Sequence, residues 1–100
     1  MNPTIKEIMM NPFAYGNDEA AGLKYLVLME IMYSVEISRP MLMTNFEKYL
    51  PILLKQLRLF NYENFKEKTP SHFRYITSDY VNEILMQIKD ELIHLLGQTK

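Results

Sequence analysis

Apolar residues recur along most of this chain at the three-and-four spacing of a helix. Leu23, Leu26, Val27, Ile31 and Val35 keep to it, and the spacing predicts a helix from Asn17 or Asp18 to about Val35. Its opening, "NDEAAG", sets acidic side chains where the helix dipole favours them. Leu28, Met29 and Met32 carry apolar surface further round the wheel, which fits a central helix or one partly covered by another chain. Odd positions from Tyr25 to Ile37 are also all apolar, the pattern of a strand, but the acidic start and the Leu and Met content favour helix. A second seam of Phe46, Leu50, Leu53, Leu57 and Phe60 follows "TNFE" at 44–47, where Thr44 and Glu47 have the spacing of a capping box. Lys48, Lys55 and Arg58 fall on or near the outer side of this helix, with Pro51 as a source of a kink. Asn61 is suited to a left-handed ending. A third stripe, Val81, Ile84, Leu85, Ile88, Leu92, Leu95 and Leu96, lies between a Ser78 cap and Gly97.

The remaining segments read differently. Residues 1–17 form a lead-in, with Asn2-Pro3 and Asn11-Pro12 as cap-and-proline pairs around a short helix over 4–10, then a turn at "YGND". "SRPM" at 38–41 interrupts the pattern, and Ser38 suits the cap of a brief helical turn that tolerates Pro40. In "YENFKEKTPSHFRYIT" at 62–77, Thr69, Pro70 and Ser71 form turns and the flanks are rich in aromatics. The alternation Phe73, Arg74, Tyr75, Ile76 predicts a β-hairpin with strands near 62–67 and 72–77. The expected fold is therefore mainly α with a small β-hairpin (α+β). It has a lead-in over 1–17 and a single domain over 18–100 that ends in a long C-terminal helix.

"LLKQLRLFNY" at 53–62, a basic loop with proline, and "HFRYITSDYVNEIL" at 72–85 together resemble winged helix-turn-helix regulators of the PadR and MarR type. Leu54-Lys55-Gln56-Leu57 matches the end of the recognition helix, Asn61 the left-handed position, and Tyr75-Ile76-Thr77 the close of the wing. The resemblance covers about residues 20–96 and is close over 53–85. It implies a small dimeric DNA-binding protein, a transcriptional regulator. Thr44, Asn45, Lys48, Lys55 and Arg58 would face duplex DNA from a helix laid in the major groove. Lys66, Lys68, His72 and Arg74 would meet phosphates or the minor groove from the wing. Met86 and Ile93, seven residues apart on the side of the last helix away from its main stripe, would form a homodimer contact.

Composition narrows the chemistry. The net charge is −1, so nucleic-acid binding has to come from a local patch rather than the whole surface. There are no cysteines, which excludes thiol catalysis and cysteine-bound zinc. The two histidines, His72 and His94, have no metal-site spacing, and the three glycines form no phosphate loop. Asp79 and Glu83, four apart, read as a solvated face. No enzyme and no cofactor is expected. The longest apolar run, residues 25–29, is far short of the roughly 20 residues of a membrane span, and no signal peptide is evident, so the expectation is cytoplasmic. The eight methionines suit either a core or an adaptable binding surface. A non-enzymatic protein-interaction module without DNA binding, a phage-type inhibitor or an adaptor, is the alternative.

Overall fold

A computed structural model describes residues 3–69 and 76–98. Six α-helices follow one another among them: α1 (Ile5–Met10), α2 (Glu19–Ser34), α3 (Arg39–Thr44), α4 (Phe46–Leu57), α5 (Tyr62–Lys68) and α6 (Ser78–Gln98), with a 3-10 turn over Pro12–Tyr15. The described residues contain no strand.

The hairpin expectation, and with it the α+β winged-helix fold, is corrected by α5. Residues 62–68 are helical, where the first wing strand was expected. The local chemistry accounts for it. Asn61 lies in extended backbone at φ −115° and its side chain accepts from the Asn64 N–H at 3.0 Å, a helix N-cap rather than a left-handed ending. Glu63 occupies the first turn, Lys66 and Lys68 the last, matching the helix dipole at both ends. Tyr62 and Phe65 are three apart, so one short helical face turns both inward, and Phe60 meets Phe65 with ring centroids 5.2 Å apart. Of the second expected strand, residues 72–75 lie outside the described residues, and Ile76 and Thr77 are not in a strand.

Other local expectations are also corrected. "TNFE" forms no capping box: Asn45 precedes α4 without a side-chain cap, and the Thr44 hydroxyl donates to the Pro40 carbonyl at 2.8 Å. The capping box is at α1, where the Thr4 hydroxyl accepts from the Glu7 N–H at 3.1 Å and the Glu7 carboxylate accepts from the Thr4 N–H at 2.9 Å. The cap of that helix is thus Thr4 and not Asn2. At α6, the Thr77 hydroxyl accepts from the Tyr80 N–H at 3.2 Å, and Ser78 is already helical. The left-handed residue is Glu36, φ 58°, at the end of α2. There the Ile37 N–H reaches the Met32 carbonyl at 2.9 Å and the Glu36 N–H reaches that of Tyr33 at 3.2 Å. This is the Schellman pattern, with a glutamate where glycine is usual.

The core forms where three seams meet. α4 contributes Phe46, Leu50, Leu53 and Leu57, α6 contributes Val81, Ile84, Ile88 and Leu92, and α2 contributes Leu23, Val27, Leu28, Ile31 and Met32. Each fully buried side chain of this kind stabilises the fold by about 1.5–3 kcal/mol. Pro51 costs α4 a backbone hydrogen bond but lies on the exposed face, where water can satisfy the freed carbonyl. α1 belongs to the same core: Ile5, Ile8 and Met9 are buried. Lys24 on α2 is buried with them, its ammonium 3.5 Å from the buried Pro3 carbonyl. The 6-residue α1 is too short to persist alone, so packing must hold it. No helix among the described residues is long and apolar enough to cross a membrane.

Candidate functional site

The residues expected to read DNA are placed as follows. Lys48 and Lys55 stand exposed on one face of α4, with Pro51 and Ile52 between them, and Arg58 is exposed at its C-terminal end. Thr44 ends α3, and Asn45 alone links α3 to α4. A helix-turn-helix takes a turn of about three to four residues there. Lys48 lies over the Tyr49 ring at 5.5 Å, which holds its stem against the helix. Lys66 and Lys68 belong to α5 rather than to a wing. Lys66 lies 5.9 Å over the Tyr62 ring, and Lys68 reaches across to α2, 3.1 Å from the Glu30 carboxylate and 5.9 Å from the Tyr33 ring. His72 and Arg74 lie outside the described residues. Among the described residues these cations thus divide between α4 and its C-terminal end, the Tyr62 side of α5 for Lys66, and the seam between α5 and α2 for Lys68 alone.

That seam holds an apolar groove. Leu26, Met29 and Tyr33 of α2 face Phe65 and Thr69 across a groove of about 380 Å³, and the Glu30–Lys68 ion pair stands at its edge. The helix spacing puts 26, 29, 30 and 33 on one strip, because residues three and four apart share a helical face. The opposite strip, 23, 27, 28 and 31, is buried in the core. Phe65 is buried at the floor, and the Thr69 hydroxyl hydrogen-bonds the Phe65 carbonyl, satisfying the last turn of α5. Tyr33, by contrast, is 78% exposed. The sequence carried a signal for this groove, since α2 is apolar nearly all the way round. What it could not show was which neighbour leaves one strip uncovered.

Large apolar side chains are exposed elsewhere too: Met10 and Phe13 near the 3-10 turn, Leu59 beyond α4, and Met86 and Ile93 on α6. The methionines are divided: Met9 and Met32 are in the core, Met29 and Met43 are half-buried, and Met10, Met41 and Met86 are exposed. At the first turn of α6, Tyr80 has its phenol pKa raised above the ordinary 10.0, by partial burial first and then by the charges of Glu19, Asp18 and Glu83. The two N-terminal ends of α2 and α6 therefore share an acidic neighbourhood. Among the described residues no three His, Asp or Glu side chains gather to hold a metal ion. No protein-family model matches this chain, and neither a curated protein nor a solved structure matches it. Fold and site define the described residues as a small helical bundle with an apolar groove between α2 and α5.

Proposed function

We propose that this chain is a non-enzymatic protein-interaction module whose α2–α5 groove receives an apolar segment of another protein. Tyr33 carries the reading: a large aromatic, 78% exposed, beside a groove floored by Phe65 and walled by Leu26 and Met29. Aromatic side chains next to an apolar depression are the usual anchors of protein interfaces. The adjoining Met29 adds a side chain that adapts to the shape of an incoming partner. The Glu30–Lys68 pair supplies a polar rim, and such rims set register more than affinity.

The DNA-binding regulator is the competing reading. The helix at 62–68 takes away the wing on which it leaned, and Lys68 is occupied by Glu30. Both readings meet in one pair of measurements. Protein captured by the immobilised chain and then purified should bind it with a Kd raised at least about tenfold by Met29→Glu or Tyr33→Ala. Lys48→Ala and Lys55→Ala should leave that Kd unchanged. Random duplex DNA should stay unshifted at roughly micromolar protein and low salt. A duplex shift with a steep salt slope that Lys48→Ala reduces would overturn the interaction reading in favour of the regulator.

A further inference from the structure

We propose that two copies of this chain pair antiparallel through the outer face of α6, about a twofold axis between Lys89 and Asp90. The inference is independent of the α2–α5 groove. Met86, Lys89, Asp90 and Ile93 are spaced i, i+3, i+4 and i+7, so they form one continuous patch on the helix. All four are exposed, with Met86 at 63% and Ile93 at 49%. The buried stripe Val81, Ile84, Ile88 and Leu92 faces the body from the other side.

A four-residue patch of this spacing has its own twofold centre, midway between its second and third members. An antiparallel copy laid on that centre puts i against i+7 and i+3 against i+4. Met86 then meets Ile93 of the second copy, and Lys89 meets Asp90, each contact made twice, as an isologous interface requires. Apolar lies on apolar and cation on anion in this register. Shifting the second copy by one helical turn sets Met86 against Lys89 or Asp90 in one direction and against Leu96 or Gly97 in the other, and either way Lys89 no longer meets Asp90. In the single chain, neither the Lys89 nor the Asp90 side chain has an ion-pair or hydrogen-bond partner among the described residues. The same symmetry brings Gly97 opposite Asn82. A Cβ at Gly97 would meet nothing within 4 Å in one copy, so the space there is open for a second helix.

The patch is small, so the dimer is weak and forms at high protein concentration. Sedimentation equilibrium of the full chain, from about 10 µM to about 1 mM, reads it directly. Lys89→Asp alone or Asp90→Lys alone sets like charges against each other twice, and each should raise Kd at least about tenfold. The double swap, Lys89→Asp with Asp90→Lys, restores opposite charges across the axis and should return Kd to near the starting value. Met86→Gln, neutral and at an exposed helical position, should also weaken the dimer while circular dichroism shows the helices intact. A chain that stays monomeric over the whole range overturns the proposal. So does a dimer that the single swaps leave unchanged, or a double swap no tighter than the singles.

Discussion

Arg39 and Glu91 hold opposite ends of the same short helix. The Glu91 carboxylate of α6 accepts from the Ile5 N–H at 2.6 Å, at the first turn of α1. The Arg39 guanidinium of α3 donates to the Met9 carbonyl at 2.7 Å, and reaches that of Met10 at 3.4 Å, at the last turn. Anion at the N-terminus and cation at the C-terminus both agree with the helix dipole, and each fills a backbone group that a helix end leaves open.

α1 should therefore come off as a unit. Arg39→Ala and Glu91→Ala should each cost about 1–2 kcal/mol, since each leaves a partly buried backbone group without its charged partner. The double variant should cost less than the sum, because a helix released at one end has little to lose at the other. Urea unfolding of the four proteins measures this; strict additivity would show that the two ends are held independently.

Glu36 occupies the left-handed region, where a side chain with a Cβ is disfavoured. Glu36→Gly should raise stability by about 1 kcal/mol, with α2 still ended by the same two hydrogen bonds. Glu36→Ala should bring no such gain. Thermal unfolding of both variants separates relief of backbone strain from loss of the carboxylate.

Glu7 should make stability fall in acid. Its carboxyl is held below the ordinary 4.5, chiefly by the Thr4 N–H and then by the Thr4 hydroxyl. A carboxyl depressed in the folded state contributes stability that is present above 4.5 and is lost as pH drops through the lower folded value. The stability difference between the wild type and Glu7→Gln should therefore shrink on going from about pH 6 to about pH 3. A difference constant with pH would mean that the capping box gains nothing from the charge.

Tyr80 should titrate above 10.0 because partial burial, and then the nearby Glu19, Asp18 and Glu83, disfavour its phenolate. Its contribution to stability is present below 10.0 and is lost as pH rises through the raised value. An ultraviolet titration, with Tyr80→Phe subtracted to isolate this phenol, should show it. Glu19→Gln should lower the midpoint without bringing it down to 10.0, since burial persists.

The long helices were legible because each seam is longer than any accident of composition. Asp18 caps α2, its side chain accepting from the Ala21 N–H at 3.1 Å, where the acidic opening predicted a start. The seam from Phe46 to Leu57 and the stripe from Val81 to Leu92 are buried as their spacing requires. The segment at 62–68 carries conflicting signals: its aromatics and the alternation after Pro70 favour a strand, while its own ends favour the helix it forms. The helix signals are an Asn61 cap, an acid in the first turn and lysines in the last. With only Tyr62 and Phe65 as apolar anchors, the period was too short to decide between strand and helix.

By itself the sequence determined the three long helices and the buried stripes of α4 and α6, since a period of 3.6 sustained over several turns admits one backbone that buries it; on α2 the spacing put Leu26 in the seam, whereas Leu26 lines the open groove. It also determined that Met86 and Ile93 would share the outer side of α6. Only the tertiary structure decided how α1 is anchored, which strip of α2 stays uncovered, and where Lys68 spends its charge. Those outcomes depend on contacts between residues far apart in the chain, such as Ile5 with Glu91 and Lys68 with Glu30. Local spacing carries no information about such contacts, because packing of whole helices brings the partners together.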